Sequence, residues 1–244
     1  MARSKPYSLL AEYYDAGWGG YSAYVAELIR TIEEESHRVF SSVCDAACGS
    51  GLLLQALHNG RRHLAGYDGS PAMVARAKER SPVADIRHGD LGSPPDFGRR
   101  FSLVTCVFDS LNYLTTEAQV RAFLTGAAAM LEPDGLLLMD VNDTSLYADR
   151  SMSVHHRLVN GVGIRETLHF DPGPPPVATT VFHFPEGEEE HRQRPWDSPD
   201  VERLLATLGF DLLDTMDVMD EERNEASGKI VYLSIPGPKA DADP

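Results

Sequence analysis

The chain has 244 residues, of which 22 are Lys or Arg and 37 are Asp or Glu, so its formal net charge is −15 at pH 7. Hydrophobic residues make up 42 % of the sequence, which is ordinary globular usage and excludes a disordered chain. The acidic balance argues against general nucleic-acid binding, because a phosphate backbone repels an acidic surface. The sequence lacks the run of about 18 apolar residues that a membrane-spanning helix needs.

The N-terminal part of the chain, residues 1–38, is predicted to be a helical lid. Apolar side chains recur at helical spacing over residues 8–37, and Gly17, Gly19 and Gly20 interrupt the pattern. We therefore expect two helices with a short loop between them.

From Val39 onward, short apolar runs alternate with helical stretches. Strands are predicted at residues 43–47, 63–67, 83–88, 101–108 and 136–141. Helices are predicted between them at residues 52–58, 71–80 and 117–131. Strands that alternate with helices form right-handed βαβ units with a parallel sheet. The sequence thus predicts an α/β domain over residues 39–145 and 198–236.

The pattern changes after Asn142, where alternation typical of half-exposed strands begins. Strands are predicted at residues 155–170 and 177–185, and the acidic residues 186–190 are expected to form a loop. We interpret residues 146–197 as an antiparallel ribbon inserted over the active site.

The C-terminal part of the chain is expected to complete the α/β domain. A helix is predicted over residues 198–208, followed by strands over 210–218 and 229–235. Residues 237–244 are expected to be a flexible tail.

Cys44, Cys48 and Cys106 are the only cysteines of the chain. Their number is odd, and no C-x-x-C or Cys/His ligand spacing is present, so we expect buried free thiols and no metal site. Together with an N-terminus that leads into no apolar signal segment, this predicts a cytoplasmic location.

The most informative stretch is residues 43–51, Val-Cys-Asp-Ala-Ala-Cys-Gly-Ser-Gly. A buried strand containing Asp45 runs into a loop of small residues and opens a helix, which lets backbone N–H groups approach a ligand. Asp68 and Asp90 follow the next two strands, at the edge where open α/β sheets bind ligands. The glycine spacing fails the dinucleotide fingerprint, which argues against a nicotinamide dehydrogenase.

These motifs, in this order, resemble the class I S-adenosylmethionine (SAM)-dependent methyltransferases. The resemblance covers residues 8–235 and extends to a fourth motif over residues 101–114. It also includes residues 131–138, where Asp134 replaces the first glycine of an L-x-P-G-G turn. It implies a Rossmann-like seven-stranded sheet, SAM as cofactor, S-adenosylhomocysteine (SAH) as product and no metal.

The resemblance also implies which residues bind the cofactor. The loop after the first strand would hold the methionine part of SAM, with Asp45 near its amino group. Asp68 would bind the ribose hydroxyls, and Asp90 with Leu91 would bind the adenine. The implied set is Tyr14, Asp45, Ala47, Cys48, Gly49, Gly51, Asp68, Gly69, Met73, Asp90, Leu91 and Phe108.

The acceptor pocket is expected to draw on the lid, the loop after the fourth strand and the exit of the ribbon. Methyl transfer is an in-line displacement, so the protein must mainly position the acceptor and handle its proton. The candidate catalytic residues are Tyr113, His191 and Tyr21. The candidate substrate-binding residues are Trp18, Ser110, Asn112, Gln193, Arg194 and Trp196.

The layout is also similar to that of glycine N-methyltransferase and amino-sugar N,N-dimethyltransferases, which implies a small-molecule acceptor methylated on N rather than O. One alternative is a nucleic acid or protein acceptor, although Asp-Ser-Leu-Asn at residues 109–112 replaces the D/N-P-P-Y motif of DNA amino-methyltransferases. Another is a SAM-binding regulatory protein without catalysis. A homodimer is possible, and neither a membrane nor a nucleic-acid partner is expected.

Overall fold

The computed structural model describes residues 4–220 and 225–237. Of the predicted tail at residues 237–244, all but Gly237 lie outside the described residues.

Two helices open the described chain, as the interrupted helical pattern predicts. They are α1 (Leu10–Trp18) and α2 (Tyr21–Ser36). Leu10 and Tyr13 of α1 pack against the inserted ribbon, whereas Val25 and Ile29 of α2 pack into the core of the α/β domain. The two lid helices are therefore attached to different layers of the molecule.

Eleven strands are present in the part of the chain that the structure describes. Their bounds are β1 (Ser42–Ala46), β2 (His63–Asp68), β3 (Asp85–His88), β4 (Phe101–Cys106), β5 (Leu131–Asn142), β6 (Val154–Val159), β7 (Val162–Asp171), β8 (Val177–Phe184), β9 (Gly187–Gln193), β10 (Phe210–Asp220) and β11 (Glu225–Pro236). The remaining helices are α3 (Leu52–Leu57), α4 (Pro71–Arg80), α5 (Glu117–Met130), α6 (Thr144–Asp149) and α7 (Ser198–Thr207).

Seven strands form one sheet in the order β10-β11-β5-β4-β1-β2-β3. The five strands from β1 to β5 are parallel, and β11 pairs antiparallel with both β5 and β10. This confirms the predicted Rossmann-like seven-stranded sheet. Strands β1 and β4 are buried along their whole length, as their continuous apolar runs indicate.

Strand β5 begins earlier than predicted, at Leu131 instead of residue 136. The segment interpreted as a turn is an irregular start of the strand, with a register shift opposite Phe101 and Leu103 of β4. Gly135 permits this, because a Cβ at that position would lie 2.8 Å from the carbonyl oxygen of Phe101.

The inserted segment is a four-stranded antiparallel sheet in the order β6-β7-β8-β9, and two predictions within it are wrong. Residues 155–170, predicted as one strand, form the β6–β7 hairpin, because Asn160 and Gly161 both have positive φ and make a tight turn. Residues 186–190, predicted as a loop, lie largely in β9, where pairing with β8 outweighs the repulsion of neighbouring glutamates.

Helix α6 lies between β5 and the ribbon and is absent from the predicted elements. The Asp143 side chain caps it by accepting a hydrogen bond from the backbone N–H of Leu146 at 3.0 Å. Its six residues are too few to give a helical repeat. Helix α7 is confirmed, and Asp197 occupies its N-cap position.

Hydrophobic side chains cover both faces of the seven-stranded sheet. The three cysteines are buried and free, as predicted. No helix among the described residues is long and apolar enough to cross a membrane.

Candidate functional site

A cavity of about 390 Å³ lies where the carboxyl ends of β1, β2 and β4 meet the N-terminal segment, and we call it the sheet-edge cavity. Every residue of the predicted cofactor-binding set except Gly51 lines it. These residues are Tyr14, Asp45, Ala47, Cys48, Gly49, Asp68, Gly69, Met73, Asp90, Leu91 and Phe108. The predicted substrate-binding residue Ser110 lines it as well.

The small-residue loop after β1 owes its path to left-handed backbone at Ala47, Gly49 and Gly51, whose φ angles are 58°, 52° and 81°. A Cβ at Gly49 would meet no atom within 4 Å, so this glycine faces open space in the cavity. A Cβ at Gly51 would lie 3.1 Å from the Cα of Ala77. Gly51 therefore lets the loop pack closely on α4. It does not line the cavity, although it belongs to the predicted cofactor-binding set.

Asp68, at the end of β2, fixes that loop from the other side. Its carboxylate accepts the backbone N–H of Gly49 at 2.9 Å and that of Ser70 at 2.7 Å. Burial raises the pKa of Asp68, and these two hydrogen bonds oppose the rise. The side chain thus joins the β1 loop to the start of α4 while facing the cavity.

Asp45 is a buried acid beside the same cavity. It accepts a hydrogen bond from the Thr105 hydroxyl at 2.7 Å, and burial raises its pKa to about 7. A cation placed against it would favour its ionised form, so it suits the amino group of a ligand. Asp90, at the exposed rim, accepts the backbone N–H of Gly92 at 2.8 Å.

A second cavity, of about 380 Å³, lies between α1, the sheet edge and the ribbon, and we call it the ribbon cavity. The predicted residues Trp18, Tyr21, Tyr113, His191 and Gln193 line it. Four side chains line both cavities, so the two spaces meet there. They are Tyr7, Tyr14, Phe108 and Tyr113.

Asn112, Arg194 and Trp196, predicted to bind substrate, line neither cavity and have structural contacts instead. Asn112 is buried and donates to the carbonyl oxygens of Asn142 and Arg194 at 2.7 and 2.8 Å. The Arg194 guanidinium lies 4.0 Å from the ring centroid of Trp196. Trp196 is 1 % exposed and donates its indole N–H to the Leu114 carbonyl at 3.1 Å. Trp196 therefore packs in the core, outside both cavities.

The boundary between the cavities is formed by Phe108 and Asp109, whose φ angles of 63° and 49° place both in the left-handed region. The buried carboxylate of Asp140 holds this turn by accepting their backbone N–H groups at 2.9 and 2.6 Å. Lys229 pairs with Asp109 at 3.1 Å and with Asp140 at 3.4 Å. Sequence reasoning missed Asp140 and Lys229, because they lie on different strands far apart in the chain.

Lys229 and Tyr21 form one wall of the ribbon cavity. Burial alone would lower the pKa of Lys229, but the carboxylates of Asp140 and Asp109 raise it overall. The lysine therefore carries its charge, and its Nζ lies 5.3 Å from the ring centroid of Tyr21. The ring of Tyr21 also contacts Phe108 edge-on, with centroids 4.9 Å apart.

A chain of hydrogen bonds also lines the ribbon cavity. The Tyr113 hydroxyl lies 2.6 Å from His191 Nδ1, and His191 Nε2 lies 2.7 Å from a carboxylate oxygen of Glu189. The Tyr7 hydroxyl lies 3.1 Å from that of Tyr113. The structure thus brings together the predicted pair Tyr113 and His191. Sequence reasoning missed Tyr7 and Glu189, because Glu189 lies in an acidic run that was expected to be a loop.

Asp15 ties the lid to the α/β domain. Its carboxylate pairs with Arg80 at 2.6 Å and Arg76 at 3.1 Å, both on α4, and accepts the Ser50 hydroxyl. Since Ser50 belongs to the small-residue loop, this contact holds α1 over the sheet-edge cavity.

Residues 43–135 match the family model described as "Methyltransferase domain". A dTDP-3-amino-3,6-dideoxy-alpha-D-glucopyranose N,N-dimethyltransferase from Streptomyces fradiae is 29 % identical, over 95 % of this chain and 92 % of that protein. A dTDP-3-amino-3,4,6-trideoxy-alpha-D-glucopyranose N,N-dimethyltransferase from Streptomyces venezuelae is 34 % identical, over 48 % and 47 % of the two chains.

Solved structures show the same fold. A SAM-dependent methyltransferase from Clostridium acetobutylicum superposes with a TM-score of 0.78 at 22 % identity, covering 95 % of this chain and 99 % of that one. Streptomyces venezuelae DesVI gives 0.71 at 23 % identity, covering 93 % and 98 %.

The sheet-edge cavity fits SAM in the chemistry of its donors and acceptors. Asp45 would offer a carboxyl to the amino group of SAM, Asp68 would offer one to its vicinal hydroxyls, and Gly49 leaves room for close approach to the backbone. No cluster of metal-ligating side chains occurs in the described ranges. This cavity lies at the carboxyl edge of the sheet, within the part of the chain that matches the methyltransferase domain, and the chain is similar to methyltransferases over nearly its whole length.

Proposed function

We propose that the protein transfers a methyl group from SAM to the amino nitrogen of a small molecule held in the ribbon cavity. The observation that carries this proposal is the meeting of the two cavities at Tyr7, Tyr14, Phe108 and Tyr113. A cofactor in one cavity and an acceptor in the other would face each other across these rings.

SAM, when bound, supplies an electrophilic methyl group on a cationic sulfonium. Aromatic faces stabilise a nearby cation, and the rings of Tyr14 and Phe108, with centroids 6.4 Å apart, stand at the junction of the cavities. In-line transfer requires the acceptor nitrogen to lie about 3–3.5 Å from the methyl carbon. Residues 146–197 would support this role, because several of them line the ribbon cavity.

The acceptor nitrogen needs a free lone pair and must lose a proton during the reaction. We assign this task to Tyr113 and His191, which lie in hydrogen-bond contact beside the junction. Tyr21 remains a candidate catalytic residue and lines the ribbon cavity with Lys229. Trp18 and Gln193 would contact the acceptor from the ribbon cavity.

The charges of the ribbon cavity favour an acceptor that carries a negative group in addition to its amine. Arg150, Arg157 and Lys229 line this cavity, together with Asp109 and with Glu166, whose pKa is raised by burial. Since the two Streptomyces relatives are named as methyltransferases of dTDP-linked amino sugars, we propose a nucleotide-linked amino sugar as the acceptor.

Purified protein, SAM and a panel of acceptors test this proposal. The panel comprises a dTDP-3-amino sugar, a dTDP-4-amino sugar, glycine, a phenol and an RNA oligonucleotide. We expect mass spectrometry to show one or two added methyl groups on a dTDP-amino sugar, with matching SAH release. Methylation of the RNA or the phenol, but of no amine, would contradict the proposal.

We also infer a cytoplasmic enzyme that acts without nucleic-acid or membrane partners, which its buried free cysteines and acidic charge support. A homodimer is supported by the exposed apolar residues Val154 and Leu158 on the edge strand β6. Sedimentation of the purified protein measures its oligomeric state.

A further inference from the structure

Glu189 is a fully buried carboxylate that joins the ribbon to the N-terminal segment. One of its oxygens accepts the backbone N–H of Tyr7 at 2.6 Å and also lies 2.7 Å from His191 Nε2. The other oxygen accepts the backbone N–H groups of Leu9 and Leu10 at 2.6 and 3.2 Å. The same side chain thus holds both the entry to α1 and the imidazole.

These contacts fix the direction of every hydrogen bond in the chain. Burial alone would raise the pKa of Glu189, but the bonds from His191 and the backbone lower it, so the group is a carboxylate and only accepts. His191 Nε2 must therefore donate to Glu189, and when the ring carries a single proton this leaves Nδ1 as an acceptor. The Tyr113 hydroxyl donates to Nδ1, and its oxygen accepts from the Tyr7 hydroxyl.

Tyr113 is a suitable intermediate in such a chain, because it keeps its own proton. Burial raises its pKa well above the usual value, and Asp109 raises it further. The titratable groups around His191 are Glu189 on β9, Tyr113 after β4, Tyr7 in the N-terminal segment and Glu166 on β7.

We infer that Glu189 is a positioning residue of the proposed N-methylation, which holds His191 in the tautomer that accepts a proton from Tyr113 while tying the N-terminal segment over the cavities. This inference rests on the proposed function. Nothing in the family resemblance assigns a role to this glutamate. If Glu189 only anchored residues 7–10, any hydrogen-bond acceptor would serve at this position. Because one Glu189 oxygen contacts both the Tyr7 N–H and His191 Nε2, the same group also orients the imidazole.

The proton step balances without any further reactant. As the acceptor nitrogen gives up its proton, that N–H bond breaks and an O–H bond forms on Tyr113. The original Tyr113 proton moves at the same time to His191 Nδ1. The positive charge passes from the acceptor nitrogen to the imidazolium, which lies against the Glu189 carboxylate and returns its proton to solvent between turnovers.

Glu189→Gln tests the assignment. With the amide oxygen on the backbone N–H groups of Leu9 and Leu10, the amide N–H donates to His191 Nε2 and forces the proton onto Nδ1, while the backbone N–H of Tyr7 loses its acceptor. We expect kcat to fall about 100-fold or more at neutral pH, the scale of general-base catalysis, with the KM for SAM nearly unchanged. The loss shrinks as pH rises, because the acceptor amine then loses its proton to solvent.

Glu188→Gln is the matched control. It makes the same charge change on β9, but its side chain lies on the other face and pairs with His183 at 2.8 Å. We expect wild-type kcat and pH profile. A Glu189→Gln variant that keeps wild-type kcat, or loses kcat equally at every pH, would overturn the inference.

Nitrogen-15 NMR of the histidine rings reads the tautomer of His191 directly in the wild-type protein. In wild-type protein with SAH at neutral pH, we expect His191 to be protonated at Nε2 and unprotonated at Nδ1. The signals of His191 are assigned by comparison with the Tyr113→Phe variant, in which they shift. A proton on Nδ1 would refute the inference. Absence of amine methylation by the wild type, with the Nε2–H tautomer present, would refute the proposed function and leave the placement of His191 by Glu189 intact.

Discussion

Asp68 shows how one side chain can serve both the fold and the site. Its two oxygens take the backbone N–H groups of Gly49 and Ser70, and each oxygen keeps a second lone pair for a ligand. The sequence identified Asp68 from its place after a strand, but its hold on the small-residue loop became visible only in the structure.

Asp68→Ala is expected to weaken SAM binding by about 1–3 kcal/mol, the scale for hydrogen bonds that involve a charged group. Titration calorimetry with SAM measures the difference. Asp85→Ala is the control, because Asp85 forms a half-exposed pair with Arg87 at the other end of the strands. Equal affinity in wild type and Asp68→Ala would rule out the ribose assignment.

Tyr113→Phe removes the hydroxyl that links Tyr7 to His191. We expect kcat to fall about 100-fold or more, because the acceptor proton loses its route to the imidazole. SAM affinity should stay close to wild type, since the ring is retained. Assays of the methylated amine formed over time measure kcat, and titration calorimetry measures SAM affinity. An unchanged kcat would show that Tyr113 takes no part in the proton transfer.

At the scale of elements, the lid helix α1 is held to α4 by Asp15, Arg76 and Arg80. Hydrophobic periodicity predicted both helices, since each has an apolar face that must be buried. The ion pairs that set their mutual position join residues some 60 positions apart, at separations of 61 and 65. Local patterns carry no signal for such contacts.

Asp15→Asn is expected to lower the free energy of unfolding by about 1–3 kcal/mol, because it removes a charge-assisted set of hydrogen bonds. Burial alone would raise the pKa of Asp15, but its bonds with Arg80, Ser50 and Arg76 lower it overall. The stabilisation is therefore fully present above the unfolded pKa of about 3.9 and is lost as pH falls through the lower folded value.

Urea unfolding of both proteins across this pH range checks that expectation. The difference between wild type and Asp15→Asn should vanish in acid. Glu27→Gln is the control, because it breaks an exposed pair with Arg30 on the same lid. A difference that persists unchanged in acid would show that the carboxylate's charge is not the cause.

At the scale of the whole molecule, the sheet-edge cavity is lined by segments that lie far apart in the chain. Lys5, Pro6 and Tyr7 line it together with residues up to Gln119. A ligand bound there joins the lid to the sheet and should stabilise the folded chain as a unit.

We expect SAH at 100 times its Kd to stabilise the protein by about 2.7 kcal/mol. For a chain of this size, that corresponds to a rise in Tm of roughly 5–11 °C. Differential scanning fluorimetry measures it, with adenosine diphosphate as the control ligand. An unchanged Tm at saturating SAH would contradict the assignment of the cofactor to the sheet-edge cavity.

The sequence by itself predicted the α/β sheet, the two lid helices and eleven of the residues that line the sheet-edge cavity. The reason is physical: buried strands have apolar runs, helices have periodic faces, and parallel strands bring residues such as Asp45 and Asp68 to one edge. Ligand-facing residues that follow directly after strands can therefore be identified from the order of the chain alone.

Only the tertiary structure decided the ribbon and the acceptor side. The β6–β7 hairpin depends on left-handed backbone at Asn160, and β9 forms in an acidic segment because β8 pairs with it. Trp196 looked like a ligand contact but fills the core, whereas Glu189 reaches the backbone of Tyr7 from 182 positions away. Contacts between distant segments depend on how the layers pack, and local sequence patterns do not encode that packing.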